Sequence, residues 1–269
     1  MSEDDVDKIL GRSREKRLKD EDLFETVEEV FDTSTVMTIL QLMRRKIIKK
    51  MSGVISSGKE ARVYLARGFE RDYLAVKIYL TSTAEFKKSI YKYIMGDPRF
   101  EGLKVSDTRD LIFAWARKEF SNLSRMWKAG VRVPEPITFL NNVVVMEFLG
   151  VNGVRYPLLV ESYKDLETED LEKIWSLVEG ELNKIVCESG LVHGDLSEYN
   201  IMVVPDAEAV YIIDVSQAVD VKHPNAREFL ERDIRNITRF FSEEAGIRVS
   251  SYDELFSRVE PCLEKKKRT

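Results

Sequence analysis

The run Leu191-Val192-His193-Gly194-Asp195-Leu196-Ser197-Glu198-Tyr199-Asn200-Ile201, followed by Val210-Tyr211-Ile212-Ile213-Asp214, decides how this chain is read. It sets three oxygen-bearing side chains beside short apolar strands. Asp195 stands five residues before Asn200, and Asp214 comes about one hairpin later. In that spacing one carboxylate can accept a hydroxyl proton, while the amide oxygen of Asn200 and the carboxylate of Asp214 hold Mg²⁺. Mg²⁺ demands hard oxygen ligands but few from the protein, because phosphates and water complete its octahedron. Each residue alone has an ordinary explanation: Asp195 caps a turn, Asn200 takes a left-handed position, Asp214 ends a strand. Together with His193 and the two apolar runs, they point to phosphoryl transfer. The pattern H-x-D-x-x-x-x-N does not separate protein kinases from small-molecule phosphotransferases, since both use it.

A chain of 269 residues can bury a good core and suits one bilobal domain or two small ones. Its 43% hydrophobic and 33% charged residues are ordinary for a soluble globular protein. No apolar run approaches the roughly 18 residues of a membrane span. The start, Met1-Ser2-Glu3-Asp4-Asp5, is acidic rather than basic and then apolar, which argues against a secretory signal. Cys187 and Cys262 offer neither metal-binding spacing nor a disulfide framework, so a reducing, cytoplasmic setting fits. A net charge of −5 argues against a protein that coats nucleic acid over its whole surface, but it hides two basic clusters, Arg44 to Lys50 and Lys265 to Arg268. The first extends an apolar helical face of Val36, Ile39, Leu40, Met43 and Ile47. It reads either as a packed helix with a cationic last turn that suits the helix dipole, or as a phosphate-binding patch for RNA.

Residues 1–50 read as an N-terminal arm and helices, 51–147 as a smaller lobe, and 148–269 as a reduced larger lobe. The first 22 residues read as a mobile arm or a frayed helix. A helix of about 15 residues capped near Asp32 runs toward Gly53. Arg62 to Ala66 and Tyr73 to Tyr79 form paired strands, and a flexible insertion of about 80–110 comes next. A helix spans Asp110 to Ala129, and strands flank the Asn141-Asn142 turn. Glu147 to Gly150 makes a hinge. Leu171, Ile174, Trp175, Val178, Leu182, Ile185 and Val186 form the inner stripe of a long helix, with further helices near Asn225–Ala245 and Tyr252–Glu264.

Gly53 to Glu60 nearly matches G-x-x-x-x-G-K-[ST], but Glu60 replaces the metal-binding hydroxyl. Ala61 to Ala66 alternates like a strand, so Ser56, Ser57, Gly58 and Lys59 either cover phosphates from a hairpin or form a plain turn. Lys77 sits inside the apolar run Ala75-Val76-Lys77-Ile78, where an unpaired ammonium is costly to bury. It needs an anion, ATP phosphate and a helical Glu being one solution and Glu119 the best candidate, unless Lys77 simply faces solvent from an edge strand.

The Ser56-Ser57-Gly58-Lys59-Glu60-Ala61 loop, the Lys77 strand, Lys118-Glu119-Phe120 and the His193 to Ile201 run together resemble the RIO family of atypical kinases, nearest its Rio1 subfamily, over about residues 30–245. The resemblance implies an α+β, bilobal, protein-kinase-like fold in reduced form with an N-terminal helical extension. It also implies an ATP-dependent serine/threonine kinase or ATPase using Mg²⁺ or Mn²⁺. Asp195 becomes the catalytic base, Asn200 and Asp214 the metal ligands, Lys77 and Glu119 the phosphate-orienting pair, and Glu147 and Leu149 the hinge that meets adenine. Asp214 is implied as a phosphate acceptor, and the small ribosomal subunit precursor as the partner. Ser57 stands where the family loop commonly has Thr. Independently, Gly194 replaces the Arg of H-R-D, which removes the usual partner of a phosphorylated activation loop. Asp214-Val215-Ser216 also lacks the Phe and Gly of D-F-G. No A-P-E occurs after Asp214, so a full peptide-binding subdomain is not expected. A nucleotide-sensing assembly factor with little turnover, and a small-molecule phosphotransferase, stand as the alternative functions.

Overall fold

A computed structural model describes residues 32–80, 90–100 and 108–267, the side chains of 265–267 excepted. The arm expected over residues 1–22 lies outside these. Asp32, in extended backbone, accepts from the Thr35 N–H at 2.8 Å and so caps α1 (Thr33–Arg44). This helix is shorter than its sequence suggests. It stops at Arg44, the chain turns through Lys46 at φ 57°, and β1 (Ile48–Ser57) is already extended where more helix was expected. Adjacent β-branched Ile47 and Ile48 favour the strand, where Ile48 buries fully against Leu42.

β1, β2 (Ala61–Gly68), β3 (Leu74–Tyr79), β4 (Pro136–Leu140) and β5 (Val143–Glu147) make one antiparallel sheet in the order β1-β2-β3-β5-β4. β3 is therefore interior, and all six of its residues are buried. Side chains alternate across a strand. Leu74, Val76 and Ile78 join Ile39 and Leu42 beneath α1, while Ala75 and Tyr79 join Ile112 and Trp115 of α2 (Thr108–Lys128). The same alternation turns Lys77 toward α2 and the cleft and excludes a solvent-facing edge position.

Residues 90–94 are helical, with Ile90, Tyr93 and Ile94 buried in the main core, and Pro98–Phe100 forms a short 3₁₀ turn. This part of the expected flexible insertion is packed, because its three apolar side chains fall on one helical face. Residues 81–89 and 101–107 lie outside the described set. A small hairpin, β6 (Gly150–Val151) with β7 (Val154–Arg155), comes after β5. In α3 (Thr168–Asn183) the predicted stripe is buried throughout and passes into a π-helical turn, Lys184–Ser189, that adds Ile185 and Val186. β8 (Leu191–Val192) pairs with β11 (Val219–Asp220), and β9 (Ile201–Val203) with β10 (Val210–Ile212). α4 (Ala226–Arg239) and α5 (Tyr252–Lys267) complete the larger lobe. Cys187 and Cys262 form a disulfide with Cα atoms 4.9 Å apart, although 75 positions separate them. That corrects the sequence reading: α5 returns to the end of α3, and linear distance gave no sign of it. Cysteine usage thus no longer supports the reducing setting. Among the described residues no helix is long and apolar enough to cross a membrane.

Candidate active site

A cleft of about 370 Å³ opens between the sheet and the larger lobe. Ser56, Gly58, Lys59, Lys77, Glu119, Glu147, Leu149, Asn200 and Asp214 line it. Ser57 does not: it pairs with Arg62 across β1 and β2 and faces solvent. Asp195 sits beside the lining, where its Oδ2 accepts from Gln217 Nε2 at 3.1 Å. The Gly58 loop is a strand-to-strand hairpin, closed by the Gly58 N–H on the Ala61 carbonyl at 3.0 Å, as the alternation of Ala61 to Ala66 required.

Lys77 is the centre of the site. Its Nζ donates to Glu119 Oε1 at 2.7 Å and to Asp214 Oδ1 at 2.8 Å, tying β3, α2 and the larger lobe together. Burial opposes the charge on Lys77, but the carboxylates of Asp214 and then Glu119 outweigh it and hold the ammonium well above its ordinary value. Burial likewise pushes Glu119 up, against Lys77. The second oxygen of Glu119 accepts from the Tyr79 hydroxyl at 2.5 Å. Burial acts to raise Asp214 as well, yet Lys77 and the Ser216 hydroxyl, 2.9 Å from its Oδ1, bring it below the usual carboxylate range. Asp214 presents 48% of its side chain to the cleft, so solvent screens much of that effect.

The loop from His193 to Asn200 is held by its own backbone. His193 is fully buried; its Nε2–H donates to the Ile213 carbonyl at 3.2 Å and its Nδ1 accepts from the Asp195 N–H at 3.3 Å. Burial depresses its pKa to about 4, so the ring is neutral. Gly194 has φ 79°, a conformation that suits glycine, and an added Cβ would lie 3.0 Å from the Gln217 carbonyl. Geometry therefore disfavours an Arg side chain there. Asn200 donates its amide to the Asp195 carbonyl at 2.8 Å, which aims its Oδ1 away. Burial and then the charge of Asp214 raise Asp195 above an ordinary aspartate, with Arg232 opposing. Among the described residues no three His, Cys, Asp or Glu side chains cluster as a ready-made metal site. A cation here would take Asn200, Asp214 and outside oxygens, which suits Mg²⁺.

Sequence reasoning missed the supports. Asp233 accepts from the Gly194 and Leu196 N–H groups at 2.7 and 2.9 Å, and Arg232 donates to the Gly194 carbonyl. Burial lifts Asp233 to about 7. A signal did exist: Asp233 lies on the apolar stripe of Phe229, Leu230, Ile234 and Ile237, where a carboxylate is out of place. Lys118 and Asn122 break the inner face of α2 in the same way.

A model of the RIO domain matches residues 62–255. The RIO-type serine/threonine-protein kinase Rio1 of Haloferax volcanii is 42% identical over 252 residues, covering 91% of this chain and 84% of that protein. The chain belongs to the RIO kinase family. The Rio1 kinase of Methanocaldococcus jannaschii is 43% identical over 233 residues, covering 87% of this chain and 76% of that protein. The RIO1 kinase of Caenorhabditis elegans is 40% identical over 255 residues, covering 94% of this chain and 49% of that protein. Two solved structures of the Rio2 kinase from Chaetomium thermophilum share the fold at 22% identity, with TM-scores of 0.53 and 0.51, each covering 86% of this chain and 72% and 70% of theirs. One of them is a complex with ADP/Mg²⁺ and phosphoaspartate. The RIO-type serine/threonine kinases are enzymes, and this chain is one of them by family.

Proposed function

We propose that the chain binds ATP with Mg²⁺ in the cleft, transfers or hydrolyses the γ-phosphate, and serves maturation of the small ribosomal subunit. The observation that carries the catalytic reading is the double ion pair of Lys77 with Glu119 and Asp214, which sets a buried ammonium between two carboxylates at the cleft floor. The apolar walls of the cleft, Val63, Ala75, Met202 and Ile213 among them, suit a planar base, with the backbone of Glu147 and Leu149 at its edge. The exposed Ser56, Gly58 and Lys59 cover the phosphates, and Lys77 orients them. Asn200 and Asp214 would hold Mg²⁺, or Mn²⁺ in its stead, which neutralises charge on the transferring phosphoryl group. Asp195 takes the proton of an attacking hydroxyl, its raised pKa bringing it nearer the range of an effective base. With no hydroxyl in place, an Asp214 carboxylate oxygen attacks the γ-phosphorus, the bond to the β–γ bridging oxygen breaks with ADP as the leaving group, and the resulting acyl phosphate is then hydrolysed by water, a reading supported by the phosphoaspartate in the Rio2 complex.

The test incubates the purified chain with [γ-³²P]ATP, with and without small-subunit precursors, and treats half of each sample with hydroxylamine. Release of protein-bound label by hydroxylamine is expected for the aspartyl route. Label that resists hydroxylamine and maps to serine or threonine would leave a plain autokinase. Absence of turnover and label alike would favour a nucleotide-sensing binding factor.

A further inference from the structure

Lys118 neighbours Glu119, yet nothing in the phosphoryl-transfer reading uses it. Successive helical residues project about 100° apart. While Glu119 reaches Lys77, Lys118 reaches the segment just after Asp214. The Lys118 side chain is fully buried, and its Nζ donates to the Ser216 carbonyl at 2.9 Å and the Ala218 carbonyl at 2.5 Å. One turn along α2, Asn122 Nδ2 donates to the Val215 and Ala218 carbonyls at 2.7 and 2.9 Å, while its Oδ1 accepts from Arg99 at 2.6 Å. A methionine could fill this space without desolvating an amine, so the side chain's donors must supply what packing does not. Burial holds the Lys118 ammonium well below its ordinary value, with Arg99 adding to the effect and Asp97 and Glu119 opposing it. An amine in either protonation state retains the two N–H groups these carbonyls need.

What the turn secures is Asp214. That residue sits at φ 53°, uncommon for a side chain other than glycine. Its carboxylate is fixed on one side by Lys77, itself held by Glu119, and its backbone on the other by the 215–218 turn bound to Lys118 and Asn122. We propose that Lys118, seconded by Asn122, is a positioning residue that sets the Asp214 carboxylate for its metal by locking α2 and the 215–218 turn into one unit. The inference rests on the reading of Asp214 as a metal ligand.

The test titrates Mg²⁺ calorimetrically into the full chain saturated with ADP, measures ADP affinity without metal, and tracks turnover against Mg²⁺. Lys118→Met should raise the Mg²⁺ dissociation constant about tenfold, the scale seen when groups that orient metal ligands are lost. The half-saturating Mg²⁺ for turnover should rise in parallel, with metal-free ADP affinity unchanged. Asn122→Ala should shift both in the same direction, and Lys128→Met, on the exposed end of the same helix, should shift neither. Folded Lys118→Met or Asn122→Ala protein with wild-type Mg²⁺ affinity would overturn the proposal, as would failure of both to fold, since the cluster would then serve stability alone. If the wild-type chain binds ADP with no response to Mg²⁺, the metal reading of Asp214 is what fails, and that arm is read without any variant.

Discussion

Lys77 is the residue whose need for an anion was legible and whose geometry was not. An ammonium in an apolar strand announced a buried anion, but only the register of β3 between β2 and β5 shows that two carboxylates meet it. Lys77→Met should lower kcat by two orders of magnitude or more, about 3 kcal/mol of transition-state stabilisation, as for loss of one strong electrostatic donor. Steady-state turnover checks this, and activity within threefold of wild type would remove Lys77 from the site. His193 makes a pH prediction. Its folded-state pKa of about 4 lies below the ordinary 6.5, so between those values the unfolded chain binds a proton that the folded chain refuses. Stability should therefore fall as pH drops from 6.5 toward 4, by an amount on the order of 3 kcal/mol for this group. The difference in urea midpoints between pH 7 and 4.5 should shrink in His193→Gln. An unchanged difference would mean that the imidazole is charged or that its burial is compensated.

Elements were legible wherever one period persisted. α2 and α3 appear close to their expected bounds because their apolar stripes hold a helical period over several turns. α1 was overestimated because Ile47 continues its apolar face, and only the pairing of Ile48 with β2 shows that a strand begins at the next residue. Five cations, Arg44, Arg45, Lys46, Lys49 and Lys50, are thereby left exposed across a helix end, a turn and an edge strand. If this segment binds RNA, replacing all five with Gln should flatten the salt dependence of duplex binding by about 0.9 in log–log slope for each lost phosphate contact. Filter binding across a salt series checks it, and an identical slope would return the segment to a structural role. The Cys187–Cys262 bond ties the end of α3 to α5 across 75 positions. Cys187→Ser should lower unfolding stability by up to about 4 kcal/mol through the freed denatured chain. Denaturant melts with and without reductant should then coincide for the variant and differ for the wild type.

At the scale of the whole molecule, Lys77, Glu119 and Asp214 join the lobes, and the Asp233 brace and the Lys118 turn carry that link into the larger-lobe core. The Mg²⁺–nucleotide complex, as a single ligand at about a hundredfold its dissociation constant, should stabilise the fold by about 2.7 kcal/mol. Calorimetry should show one transition moving upward as a unit, and two transitions of which one moves would show that the lobes melt separately. The sequence by itself pointed to phosphoryl transfer and, through its resemblance to the RIO family, to the bilobal class and to most residues that line the cleft, because motif spacing and apolar period are local properties of the chain. Ser57 shows the boundary, since it belongs to the loop motif but leaves the cleft once β1 pairs with β2. Only the tertiary structure decided that Asp214 joins Glu119 on Lys77, that Asp233 and Lys118 hold the loops around Asp195 and Asp214, and that Cys187 meets Cys262. Each of those contacts joins residues far apart in the chain, and their meeting is set by which faces the helices and strands bury against one another.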